Sequence, residues 1–235
     1  MRFQDAAADA RAVVYAGIQA EPVVARAAAA LAGATLAERV LARAVMTGVS
    51  EDPAAWRTMF PGLFPVGEAT PAGGPGERSS AEVILGVALE VAGRGDRVRD
   101  QVRGAIIEEL TARILAQRAP EAAIRRERRI LFDGVRAEIH PYDVTIEVPG
   151  AAEAYDCKWG ARGIKADVLH QLDDARTHAA DDDERLRVAL VVFDAERSCR
   201  VRLARETAPA AGTGLVTLES LDRLATGEPP DPAGS

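Results

Sequence analysis

Asp143, Asp156 and Lys158 are residues whose types and spacing suit chemistry on a phosphodiester. Asp156 and Lys158 stand two apart in Tyr155-Asp156-Cys157-Lys158, and Asp143 precedes Asp156 by thirteen residues in His140-Pro141-Tyr142-Asp143. The chain has 29 Lys plus Arg, yet Lys158 and Lys165 are its two lysines. Arginine does not readily give up a proton or act as a compact point charge, and lysine does both. Paired carboxylates form an oxygen-only ligand set that suits Mg²⁺ or Mn²⁺, together with water and phosphate oxygens. Such a metal stabilises charge at phosphorus and lowers the pKa of a bound water. A neighbouring lysine positions or deprotonates that water and offsets negative charge as it develops.

A hairpin brings these residues together. Tyr142, Val144, Ile146 and Val148 alternate with Asp143, Thr145 and Glu147, the period of a strand with one apolar face. Pro149-Gly150 reads as a turn, after which Tyr155, Cys157 and Trp159 alternate with Asp156 and Lys158. A two-residue turn sets Val148 against Ala151 and, counted outward, Asp143 against Asp156, with cross-strand Cβ atoms about 4.5–5.5 Å apart. Lys158 then shares a face with Asp156, while Tyr142, Val144, Tyr155, Cys157 and Trp159 take the other. A longer loop at Pro149-Gly150 shifts that register. The alternative reading of Asp156 and Lys158 is a structural ion pair.

Upstream, residues 4–47 read as Ala-rich helices, and 59–79 concentrate Pro and Gly as a linker or long loop. Ser80 is placed to cap a helix to about Val91, and Asp96 a longer one to about Gln117. Arg129–Phe132 reads as a strand before Asp133-Gly134. Residues 164–180 read as helix, Val188–Phe193 as a buried strand, Cys199–Leu203 as another strand, and Leu218–Leu224 as a short helix. The tail from Gly227 is expected to be disordered.

With these elements in place the chain resembles the PD-(D/E)XK nuclease superfamily, the restriction-endonuclease-like fold. The family's pattern is a Glu on a helix, an Asp on a strand, and Asp/Glu-x-Lys on the next strand. Here these match Glu108, Asp143 and Asp156-Cys157-Lys158, over about residues 96–205. The order helix, three strands, helix, strand also resembles the family core. Tyr142 between Pro141 and Asp143, and Asp156 in place of the commoner Glu, are departures from the pattern. The resemblance implies that Asp143, Asp156 and the Cys157 carbonyl hold Mg²⁺ or Mn²⁺, that Lys158 serves the water, and that Glu108 completes the ligands. Gly104-x-x-x-Glu108 favours Glu108, although the stripe Val102, Ile106, Leu110, Ile114 leaves Glu109 as the alternative. Gln171 resembles a glutamine that some exonuclease-like branches place near the site.

The expected architecture is therefore mixed α/β: a restriction-endonuclease-like core with a central mixed β-sheet flanked by helices. It comprises an all-helical N-terminal region (1–93) for assembly or partner docking, the core (94–205), and a C-terminal extension with a disordered tail (206–235). The expected activity is Mg²⁺-dependent phosphodiester hydrolysis in DNA, by an endonuclease rather than an exonuclease. Restriction, repair and antiviral defence all use this fold, and no residue chooses among them. The rival reading is a non-catalytic nuclease-like subunit that binds nucleic acid or protein, with homo-oligomer or partner contacts through the N-terminal helices.

A net charge of −7 argues against a generic nucleic-acid coat. However, residues 94–136 carry eleven Arg against seven acids, a local excess that fits a focused nucleic-acid site and a solvated helix surface equally. No run of eighteen apolar residues suggests a membrane span. The N-terminus lacks a secretory pattern, and two cysteines without metal spacing suit a cytoplasmic setting. His140 reads as a turn-side polar residue, His170 and His178 as solvated, and Cys157 and Trp159 as core. Arg162 and Lys165 read either as phosphate contacts or as a solvated helix start.

Overall fold

In chain order the elements are β1 (Arg2–Asp5), α1 (Ala10–Gln19), α2 (Pro22–Ala32), α3 (Leu36–Thr47), α4 (Pro53–Met59), α5 (Ser80–Ala92) and α6 (Asp96–Leu115). Then come β2 (Ile124–Phe132), β3 (Val135–Arg136), β4 (Tyr142–Val148), β5 (Ala151–Lys158), α7 (Ala166–Asp181) and β6 (Leu186–Val192). Last are α8 (Glu196–Leu203), β7 (Gly214–Val216), α9 (Arg223–Thr226) and β8 (Asp231–Pro232). The computed structural model describes residues 1–7, 10–65, 78–132, 135–136, 140–148, 151–181, 185–206, 212–229 and 231–233. The Pro149-Gly150 turn and most of the Pro/Gly-rich linker lie outside these. The chain divides into two compact units, one of residues 14–110 and one of residues 1–13 with 111–235. The composition boundary at 93/94 thus differs from the structural one, which falls inside α6.

The unit of residues 14–110 is helical. Thr35 caps α3 through a reciprocal capping box with Glu38, and Asp52 caps α4. Ser79, one residue before the expected Ser80, caps α5. Each side-chain oxygen satisfies an N–H that the first helical turn leaves unpaired. Leu31 of α2, Leu41 and Met46 of α3, and Ile84 and Leu85 of α5 form a core at 2 % exposure or less.

The other unit carries a mixed sheet. Among the described residues its strand order is β1-β2-β4-β5-β6-β7-β8, with β3 also on β2. Pairing is antiparallel from β1 to β5, parallel for β5, β6 and β7, and antiparallel again at β8. Helices α7 and α8 connect the parallel strands, as a parallel crossover requires. They bury Leu169, Leu172, Cys199 and Leu203 against Ala154, Val188, Leu190 and Val192.

Four expectations are corrected. Gln4 and Asp5, expected to open a helix, belong to strand β1, because β1 finds β2 across more than 120 residues of sequence. Strand β2 begins at Ile124, so its arginine-rich first half is sheet. Cys199–Leu203 lies in a helix, with Cys199 and Leu203 one turn apart and buried. In the tail, Asp231–Pro232 pairs with β7 and Ala233 is buried. No helix among the described residues is long and apolar enough to cross a membrane.

Candidate functional site

Side chains alternate along β5, so Ala154, Asp156 and Lys158 share one face and Tyr155 and Cys157 the other. Ala154 belongs to the core under α7. Cys157 Sγ lies 3.5 Å from Thr111 Oγ1, on the last turn of α6. Asp156 and Lys158 therefore emerge on the α7 side at the carboxyl end of β5. Strand β6 ends beside them, with Lys158 paired to Val192. The crevice beyond the carboxyl ends of parallel strands is where open α/β sheets place their ligands.

The hairpin register is the counted one: Val148 faces Ala151 and Val144 faces Tyr155. The next position would pair Asp143 with Asp156, and there the ladder stops. Asp143 Oδ2 instead accepts the N–H of Cys157 at 2.5 Å. Tyr142, expected on the Val144 face, packs with Ile130, Ala154 and Leu172 in the α7-side core, its hydroxyl donating to the Gln171 carbonyl at 3.4 Å. The strand thus swivels at Asp143, and the swivel aims that carboxylate at β5.

Lys158 Nζ makes a close ion pair with Asp156 and lies 3.9 Å from Asp143 Oδ2. Their side chains are 26 %, 5 % and 18 % exposed respectively, so water screens the group weakly. Asp156 Oδ1 is sealed from solvent and accepts no hydrogen bond of ordinary geometry. Its contact with the Lys158 ammonium is what compensates its charge. Burial acts to lower the Lys158 pKa, but the charges of Asp143 and Asp156 outweigh it and hold the group well above its ordinary value. In this arrangement Lys158 is a firm cation, suited to stabilising negative charge and holding a water rather than to removing a proton.

One residue that sequence reasoning missed joins them. Glu127 on β2 occupies the register position opposite Asp143, between the pairs Arg126–Val144 and Arg128–Tyr142. Its φ is 51°, and among the described residues it is the non-glycine with positive φ. That conformation costs on the order of 1–3 kcal/mol. A carboxylate oxygen of Glu127 and one of Asp143 lie within 4.8 Å of each other. Burial raises the Glu127 pKa above the ordinary carboxyl range, against the lowering effect of Lys158, Arg126 and Arg129. The signal in sequence was the lone acid in Arg125-Arg126-Glu127-Arg128-Arg129.

Glu108 belongs to the helical unit. It is 5 % exposed, and both its oxygens are held, by the Tyr15 hydroxyl at 2.5 Å and Gln19 Nε2 at 2.8 Å. A side chain at Gly104 would place its Cβ 3.0 Å from that hydroxyl, so the glycine leaves room for Tyr15. Glu109, the alternative, is half-buried. Gln171, 2 % exposed, clamps the backbone of His140: its Oε1 accepts the His140 N–H and its Nε2 donates to the His140 carbonyl, both at 3.0 Å. It therefore fixes the segment leading into Asp143. His178 is exposed, as expected, and its ring stacks on Phe132 at 5.4 Å. Trp159 stacks on Phe193 at 4.7 Å. Arg162 and Lys165 are exposed.

In comparisons with known proteins, no family model, curated protein or solved structure matches the chain.

Proposed function

We propose that this protein is a metal-dependent phosphodiesterase of restriction-endonuclease-like architecture that cuts DNA internally. The observation that carries this reading is the convergence of Glu127, Asp143, Asp156 and Lys158 at the carboxyl end of β5. A divalent cation fits the donor set. Glu127 and Asp143 offer hard oxygens within 4.8 Å of each other, and burial raises the Glu127 pKa against the pull of Lys158, Arg126 and Arg129. That chemistry suits Mg²⁺ or Mn²⁺. When bound, such an ion would lower the pKa of a water and offset charge on phosphoryl oxygens.

The chain's own residues supply the rest. Asp143 and Glu127 hold the cation, and Asp143 is oriented by the Cys157 N–H. Lys158, kept cationic by Asp143 and Asp156, donates to the attacking water or to a non-bridging phosphate oxygen. Asp156 fixes the ammonium in place. Glu108 enters as a further carboxylate on the family resemblance, and the Cys157 carbonyl likewise. Arg126 and Arg129, whose charges reach Glu127, are suited to the phosphate backbone.

One observation favours a second reading, a non-catalytic nuclease-like subunit that binds nucleic acid or a protein partner. The Asp156 carboxylate is sealed and already compensated by Lys158, as in a purely structural ion pair. Cleavage of linear and circular, single- and double-stranded DNA in Mg²⁺, Mn²⁺ and EDTA separates the two. Metal-dependent nicking that disappears in Lys158→Ala and Asp143→Asn supports the enzyme. Equal cutting by both variants, or Mn²⁺ binding unaffected by Asp143→Asn, sinks it.

A further inference from the structure

We propose that Gly163 is a positioning residue for Lys158: the absence of a side chain there forms the wall against which the lysine stem lies. The proposal deepens the function proposed above and rests on it where turnover is concerned. A Cβ built at Gly163 would stand 2.9 Å from Lys158 Cβ and 3.0 Å from its Cγ and Cδ. The contact therefore runs along the root of the side chain, not its mobile tip. Lys158 Cβ is set by the backbone of β5, which pairs with Val192 and whose Lys158 carbonyl accepts the N–H of Phe193 at 2.9 Å. Rotation about the lysine's torsions does not relieve a clash at that atom.

Nor is the turn that carries Gly163 able to retreat easily. Residues Ala161–Gly163 form a 3-10 turn. Asp194, 6 % exposed, accepts the N–H of Ala161 at 3.0 Å. Gly163 donates to the Gly160 carbonyl at 2.8 Å, and Ile164 to that of Ala161 at 3.1 Å. Ile164 is fully buried, and its carbonyl accepts Arg202 Nε at 3.0 Å from α8. A rigid turn on one side and a paired strand on the other leave the lysine one path, toward Asp156 and Asp143. Gly163 has no positive φ, so alanine there carries no φ penalty and its effect comes from the contact with Lys158.

The two-lysine composition makes the test direct. Protein grown with ¹³Cε,¹⁵Nζ-lysine has two side-chain signals, from Lys158 and Lys165, assigned with Lys165→Arg. In Gly163→Ala the Lys158 signal should move and that of Lys165 should stay. With saturating Mn²⁺ and DNA, kcat should fall on the order of 10–100-fold with KM nearly unchanged, as expected for a misplaced reacting group. Arg202→Ala, which loosens the turn without adding an atom, is the second variant and should move the same signal if Gly163→Ala fails to fold. A Lys158 signal unmoved in the folded variants overturns the proposal. If wild type does not cut DNA at all, the nuclease reading fails, and the lysine signals still decide the positioning.

Discussion

Strand β5 holds a buried charged cluster at each end, and the two are built differently. Near its start, Glu153 meets the Arg118 guanidinium through both oxygens, and Arg118 also reaches the Tyr155 hydroxyl at 3.1 Å and the Leu224 carbonyl at 2.6 Å. Arg187 adds a second positive charge 3.7 Å from Glu153. One carboxylate is thus met by a planar fork whose donors are all directed. At the far end one ammonium faces Asp156, Asp143 and, through the field it exerts, Glu127. Three carboxylates gather round one lysine, and the charges of Arg126 and Arg129 also reach Glu127. The first cluster is complete as a structural element. The second holds a positive φ at Glu127 and a carboxyl whose pKa burial raises, features that cluster at functional sites.

Exchanging the cations is the strongest way to break this contrast. Lys158→Arg keeps the charge but not the compact shape, and cleavage should fall by on the order of 10²–10⁴-fold in a plasmid-nicking assay. Arg118→Lys should leave cleavage within a few-fold while lowering stability to urea by about 1–3 kcal/mol, through the lost bidentate contact. Equal effects of the two swaps on turnover would erase the distinction.

Glu127→Gly separates function from stability by sign. Glycine accepts a φ of 51° without strain, so urea stability should hold or rise by up to about 1 kcal/mol. Affinity for Mn²⁺, followed by calorimetry, should drop tenfold or more on the order of a lost ligand carboxylate. A loss of stability without a loss of affinity would make Glu127 a structural residue.

The smallest expected effect concerns pH at the complete cluster. Burial pushes the Glu153 carboxyl up, but the hydrogen bonds from Arg118 and Tyr155 outweigh it and hold the group below its ordinary value near 4.5. Its stabilisation is therefore whole above about pH 4.5 and is lost as pH falls through the folded value. Glu153→Gln should flatten the acid limb of urea stability below that pH and cost stability above it. An unchanged acid limb would show that Arg118 does not set the Glu153 charge.

Much of the site was legible because it rests on local rules. The alternation of Tyr142–Val148 and Ala151–Lys158 about Pro149-Gly150 carries the register, and the structure keeps it from Val148–Ala151 to Val144–Tyr155. Cys199–Leu203 misled because Cys-Arg-Val-Arg-Leu alternates like a strand, whereas Cys199 and Leu203 are also one helical turn apart. The apolar stripe of α6 left Glu109 as an alternative to Glu108; of the two, Glu108 is the buried one and Glu109 is half-buried.

By itself the sequence determined which residues alternate, where the hairpin turns, and that a lysine follows an aspartate by two on one face. These depend on backbone periodicity and side-chain type over a few residues. Tertiary structure alone decided that Glu127 stands opposite Asp143, that Asp143 leaves the ladder to hold the Cys157 N–H, and that Lys158 stays cationic. Each depends on strands that are distant in the chain meeting in one sheet, where burial and neighbouring charge set the chemistry.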